Sequence, residues 1–354
     1  MAADELAHID ETVPAVTGGP NTPNLGGTMN RNFRRAVVTG GAGFLGTLLC
    51  RRLLEAGTEV VCLDNLLTGT SSALTRLRSW PEFEFRCTDV SLPFDVTGEV
   101  DLVMHLASPA SRHADDRFPI QTLEAGSCGT RHALELAERT GARFVLASTA
   151  QVYGDPEQAP QTGSYWGNVN PVGPHSVSDE AMRFAEAITA AYARAGRVNA
   201  GIARIFDSYG PGMRPDDGRM VPTFACQALR GEPLTVTGDG SQTRSLCHVS
   251  DTVRGLLLLA SSDLGGPVNI GNPDEATVRQ IAARIIGLAG SSSPIEYVPR
   301  PQDDAGSRRP DISLAASALG FRPRVSWKHG LTETLYWFAG LVHGDEPALV
   351  PSSR

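Results

Sequence analysis

The chain is nearly without lysine: of its 31 lysines and arginines only Lys328 is a lysine, and the other 30 are arginine. It has no excess of positive charge either. A formal charge of -8 and a pI near 5.5 exclude the basic surface that a polyanion needs, so no nucleic-acid partner is expected. No run of 18 apolar residues occurs, so no segment is expected to span a membrane. The six cysteines, Cys50, Cys62, Cys87, Cys128, Cys226 and Cys247, form no Cys-x-x-Cys pair and no cluster with histidine. They read as reduced core thiols, and no metal site is expected. The acidic N-terminus (Asp4, Glu5, Asp10, Glu11) lacks the apolar stretch of a secretory signal. A cytoplasmic protein is the expectation. The arginine bias, with abundant alanine and glycine, looks like that of a high-GC bacterial gene.

What is present is 354 residues, 41% of them hydrophobic, enough for a large core in one domain or two interlocked lobes. Residues 1–30 lack periodicity and read as a disordered tail, with a second tail at 343–354. Arg34–Thr39, Glu59–Leu63, Leu102–Leu106, Arg143–Ala147 and Ala203–Phe206 are short buried-strand candidates. Helical spacing of apolar residues runs through 44–56, 119–140 and 176–196. Alternating strands and helices predict an α/β fold with a doubly wound parallel sheet, the Rossmann fold, over 31–206 plus 246–275. The Gly/Pro-rich texture of 207–245, and the similar texture of 265–325 around a helix at 276–289, predict a smaller, loop-rich C-terminal substrate lobe over 207–245 plus 276–342. Ligands of such folds bind beyond the carboxyl ends of the strands, where late loops can cover them.

Thr39-Gly-Gly-Ala-Gly-Phe-Leu-Gly46 lies between the first strand and the first helix, with Gly40, Gly43 and Gly46 spaced G-x-x-G-x-x-G. Such a turn brings backbone close to a pyrophosphate and aims a helix N-terminus at its charge, through Phe44 and Leu45 as well. Asp64 ends the second strand about 20 residues later, placed to accept hydrogen bonds from the adenosine ribose and to repel a 2′-phosphate. NAD is therefore the expected cofactor.

These residues and several later blocks resemble the extended short-chain dehydrogenases of nucleotide-sugar metabolism, the NAD-dependent epimerase/dehydratase family. The blocks are Asp64-Asn65-Leu-Leu-Thr68-Gly69, Asp89-Val90, His105-Leu-Ala-Ser-Pro-Ala-Ser111, 147–156, 165–174, Ala203-Arg-Ile-Phe206, 238–244 and Arg309-Pro-Asp-Ile312. They are most similar to the UDP-glucuronate decarboxylase group, over about residues 34–340. The resemblance implies that Asn65, Thr68 and Gly69 belong to the cofactor site. It implies that Asp89 and Val90 bracket the adenine, and that Leu106, Ala107 and Ser108 line the pyrophosphate and nicotinamide ribose. It also implies a homodimer through the helices near 119–140 and 176–196.

Where relatives carry a Tyr-x-x-x-Lys pair on one helix face, this chain has Ser178 and Met182. Serine lacks the pKa of the tyrosine, and methionine carries no charge to support it, although Met182 stays where the nicotinamide ribose is expected. Thr149 fills the family's Ser/Thr position and borders cofactor and substrate, as Ser108 does. The acid/base positions after it are Ala150 and Gln151, and glutamine shuttles no proton. His175, just before the helix, reads as a capping histidine or a substitute base. Asp179 and Glu180 read as first-turn charges, His105 as a core histidine, and Tyr153 and Tyr165 as structural.

In the substrate lobe, Asp207 and Ser208 replace an Asn-Thr of relatives, Gly212 an arginine, and Pro222-Thr223-Phe224 a Ser-Asn-Phe. Arg244 and Arg309 remain as anion clamps. The carboxylate of Asp207 either turns away or marks a substrate without a diphosphate. The expected function is a redox-neutral sugar lyase with an altered proton relay, a dehydratase ahead of a decarboxylase. Its substrate would be a nucleoside or nucleotide-sugar, in bacterial secondary metabolism. A sugar epimerase and an inactive NAD-binding paralogue are the alternatives.

Overall fold

β-Branched apolar runs form the central strands, because residues buried on both faces of a parallel sheet need no polar alternation. The computed structural model describes residues 33–109, 112–173, 176–300 and 306–344. The predicted 1–30 tail and His175 lie outside these residues, as does nearly all of 343–354. Strand β1 (Arg35–Thr39) pairs in parallel with β2 (Glu59–Asp64) on one side and β4 (Leu102–His105) on the other, and β3 (Phe83–Cys87) pairs beyond β2. On the other flank follow β5 (Arg143–Thr149), β6 (Ala200–Ile205) and the edge strand Val268–Ile270, all parallel. Among the described residues this is a seven-stranded Rossmann-type sheet whose order reverses between β1 and β4.

Alternate strand residues face opposite layers. Ala36 and Val38 pack under Leu49 and Leu53 of α1 (Phe44–Glu55), while Val37, Val61 and Val103 pack on the other face. Each fully buried leucine of this kind contributes about 1.5–3 kcal/mol. After β4 come α2 (Arg112–Arg117), α3 (Pro119–Glu124) and α4 (Thr130–Thr140), joined across Ala125–Gly129 by a π turn. The single helix expected over 119–140 is thus interrupted. At the π turn Gly126 meets α5 (Ser176–Arg194): a Cβ on Gly126 would sit 2.7 Å from the Ala181 carbonyl oxygen. That contact sets the height of α5 over the sheet.

A separate core joins Phe224 of α6 (Met220–Arg230) to Ile281 and Ile285 of α8 (Val278–Ala289) and to Leu331 and Phe338 of α10 (Trp327–His343). α7 (Val249–Ala260) instead packs on the main sheet beside α1, and α9 (Ser313–Leu319) lies against the edge strand. β3 escapes a reading by apolar runs because Glu84 and Arg86 alternate with its phenylalanines, as suits an edge. α7 escapes it because its Leu-Leu-Leu-Leu run has no polar stripe.

Candidate functional site

The reversal between β1 and β4 opens a crevice, and the glycine turn sits in it. Gly40 has φ +71°, and its N–H donates to the Leu63 carbonyl at 2.8 Å. A Cβ there would lie 2.7 Å from the Leu106 carbonyl carbon, so β4 and the turn touch backbone to backbone. Gly43 is the extended residue that begins α1, with no side-chain cap, which leaves the first N–H groups of the helix pointing outward. Asp64 is buried, and its two oxygens accept the Ala42 N–H at 3.0 Å and the Leu66 N–H at 2.8 Å. Burial pushes its carboxyl up, and these two hydrogen bonds oppose the shift. Asp89 accepts the Ser91 N–H and hydroxyl, which hold its carboxyl low.

A cavity of about 600 Å³ runs from this turn into the second lobe. Gly40, Gly43, Phe44, Leu45, Gly46, Asp64, Asn65, Thr68, Asp89, Val90, Leu106, Ala107, Ser108 and Met182 border its sheet end. Gly69 does not; it lies behind, where a Cβ would be 3.0 Å from Asp64 Oδ1. Thr149, Gln151 and Ser178 border the middle, and Asp207, Thr223 and Arg244 the far end. Arg309 stands apart: its N–H donates to Gln161 Oε1 and its guanidinium pairs with Glu275 at 3.6 Å. Its neighbour Arg308 borders the cavity instead, as do Arg214 and Arg219. These two are partly neutralised by Asp216 and Asp217.

Three polar side chains, Thr149, Gln151 and Ser178, meet in the middle of the cavity. Thr149 ends β5, where its hydroxyl accepts the Gln151 N–H at 3.2 Å. Ser178 and Met182 stand one turn apart on α5, 4% and 5% exposed, with the Gly126–Ala181 contact between them. The Ser178 hydroxyl donates to Oδ2 of Asp115, a buried residue of α2. Asp179 is pushed up to about 7, chiefly by burial; Arg308 opposes the shift and Asp115 adds to it.

The phenols are committed elsewhere. Tyr153 donates to Asn269 Oδ1 at 2.7 Å, and the Tyr165 oxygen accepts the Glu157 N–H. His105 is fully buried between Thr39 and Thr130, and burial lowers it to about 4, so it stays neutral and structural. Lys328 lies against Trp327 on α10, away from the cavity.

Residues 36–271 match the model of the NAD dependent epimerase/dehydratase family. The chain belongs to this family. It is 46% identical over 318 residues to UDP-glucuronic acid decarboxylase 2 of Arabidopsis thaliana, covering 90% of this chain and 71% of that one. To UDP-glucuronic acid decarboxylase 1 of Danio rerio it is 45% identical over 325 residues, or 92% and 77% of the two chains. The dTDP-glucose 4,6-dehydratase of Streptomyces venezuelae, solved with NAD, superposes with a TM-score of 0.79 at 28% identity, over 88% of this chain and 99% of that one. UDP-glucuronic acid 4-epimerase of Bacillus cereus, solved with UDP-glucuronic acid and NAD, gives 0.77 at 26% identity, over 87% and 99%. NAD is the cofactor of this epimerase/dehydratase, and its glycine cradle, helix N-terminus and Asp64 suit that dinucleotide.

Sequence reading missed Asp115 and Arg308. Asp115 sits in the charged run Arg112-His-Ala-Asp-Asp-Arg117, which reads as a solvated face. Only the fold returns it to a residue 63 positions away. Arg308 was overlooked for its neighbour, and the pairing of Ser307–Arg308 with Thr243–Arg244 decides which of the two faces inward.

Proposed function

We propose that this epimerase/dehydratase is a redox-neutral lyase acting on a nucleotide-linked sugar, with water as the group eliminated. One observation carries the reading: a single cavity joins the NAD cradle, past Thr149, Gln151 and Ser178, to Arg244 and Arg308. A sugar in the middle then has the cofactor on one side and cationic groups for a phosphate on the other. When bound, NAD supplies a reversible two-electron oxidation of one sugar carbon. Thr149 and Gln151 orient the sugar by hydrogen bonds, and Ser178 meets the hydroxyl that is oxidised. A carbonyl acidifies the neighbouring carbon, so that a hydroxyl one carbon further leaves as water.

Decarboxylation is the second reading, favoured by the relatives at 45–46% identity. Against it stand Asp115 and Asp179 beside Ser178, and Asp207 at the far end of the cavity. A uronate would add a further carboxylate to that field. The test incubates the purified protein with NAD and with UDP-glucose, UDP-glucuronate and a panel of nucleosides in deuterated water, followed by mass spectrometry. The expected result is a product short of one water and carrying solvent deuterium. Carbon dioxide released from UDP-glucuronate would establish the second reading, and no turnover of any probe would overturn both.

We also propose a homodimer. Ile120 and Leu123 on α3 and Phe184 on α5 are 60%, 37% and 50% exposed, an unusual display of large apolar groups on adjacent helices. Light scattering at micromolar concentration should give a dimer, and Ile120→Glu with Phe184→Glu should give a monomer. A monomeric unmutated protein would refute the assignment.

A further inference from the structure

We propose that Asp115 is the terminal proton acceptor of the site, reached through the Ser178 hydroxyl, in place of the tyrosine–lysine pair of relatives. Of the three polar side chains in the middle of the cavity, Thr149 and Gln151 bond mainly to each other, and neither can hold a proton. Ser178 is different. Its hydroxyl borders the cavity and donates to the carboxylate of Asp115, which is 8% exposed and does not border the cavity itself. The serine is therefore the path between a sugar hydroxyl and a buried base. Met182, one turn on along α5, borders the same cavity.

Serine alone is a poor base, but a relay never requires the alkoxide. As the sugar C–H electron pair passes to NAD and the C=O bond forms, the sugar O–H proton moves to Ser178 Oγ. The proton already on Oγ moves to Asp115 Oδ2. Charge balances: the carboxylate becomes neutral, NAD becomes NADH, and the return step reverses both. Next to Ser178 on α5, Asp179 feels the charges of Arg308, Asp115, Glu180 and Arg183. Asp179, held partly protonated near neutral pH, limits the negative charge beside Asp115.

The proposal rests on the lyase reading for its sugar, but part of its test needs no turnover. An ionised Asp115 near the nicotinamide favours the cationic NAD+ over NADH. At one fixed pH, the ratio of NAD+ to NADH affinity should therefore be about fivefold larger in the unmutated protein than in a variant without this charge. Calorimetric titration of the full chain measures this. Asp115→Asn should remove that difference, while Ser178→Ala, which keeps the carboxylate, should retain it. Melting temperatures report whether each variant folds.

In single turnover with UDP-glucose and UDP-glucuronate, NADH formation should fall about 10²–10⁴-fold in both Asp115→Asn and Ser178→Ala. An unchanged NAD+ to NADH affinity ratio in Asp115→Asn, or its loss in Ser178→Ala, would overturn the proposal. So would an Asp115→Asn rate within about threefold of the unmutated protein. If the unmutated protein reduces no NAD with either sugar, the lyase reading fails, and the binding titration still decides whether the charge of Asp115 acts on the cofactor.

Discussion

Gly46→Ala should abolish NAD binding, leaving no affinity detectable at millimolar cofactor. A Cβ at this position would lie 2.1 Å from the Gly40 carbonyl oxygen and 2.7 Å from Gly41 Cα. Both are backbone atoms, so no side chain can swing aside. The turn cannot yield as a unit either, since Gly40 is tied to Leu63 and pressed against Leu106. Relief must come from lifting α1 off the turn, and that displaces the N–H groups that would hold the pyrophosphate. Overpacking of this kind costs about 1–3 kcal/mol in folding, tolerable for a core this large. Binding depends on positions within a fraction of an ångström and is not so forgiving. Gly287→Ala is the control: it lies in α8 with nothing within 4 Å of its Cβ, so it should bind NAD normally and gain about 1 kcal/mol of stability. Calorimetry and thermal melts on both variants check this, and binding by Gly46→Ala within about tenfold of the unmutated protein would refute the cofactor assignment.

The cofactor half of this cavity is legible in the sequence because its chemistry is local. Gly40, Gly43, Gly46 and Asp64 act through spacing along one strand–turn–helix–strand unit, and the strands beside them are uninterrupted apolar runs. The central strands β1, β2, β4, β5 and β6 could be read for the same reason, to within a few residues at their ends. The middle of the cavity is not local. Ser178 can be recognised as a missing tyrosine, but its partner comes from α2, across a π turn that no periodicity announces. Arg308 and Arg309 are adjacent and chemically identical, so only the strand pairing distinguishes them. Buried Asp179 shows the same limit: in the sequence it reads as a first-turn charge favoured by the helix dipole, and burial in the fold pushes its carboxyl up to about 7.

Restoring the family residues with Ser178→Tyr and Met182→Lys should eliminate the protein's own turnover while leaving NAD binding within about tenfold. The phenol has no room on the α5 side, where Ser178 is nearly buried, so the ring must enter the cavity where the sugar is held. The substitution also removes the hydroxyl that donates to Asp115, and depriving a buried carboxylate of a donor costs about 1–3 kcal/mol. Met182 packs with Ala150, Val152, Tyr153 and Phe206, an apolar setting that depresses the pKa of a lysine unless its ammonium reaches Asp115 or Asp179. The double variant should therefore melt several degrees lower, lose NADH formation with the sugar that the unmutated protein uses, and gain at most weak activity on UDP-glucuronate. The glycine turn Gly40–Gly46 and Asp64 belong to other elements than α5 and are untouched by both substitutions, so NAD should still bind. An inactive paralogue would behave in the opposite way, with no turnover to lose and a measurable gain on UDP-glucuronate. Assaying both proteins on UDP-glucose, UDP-glucuronate and nucleosides separates the two cases, and that second pattern would show that Ser178 and Met182 mark decay of the site rather than its rebuilding.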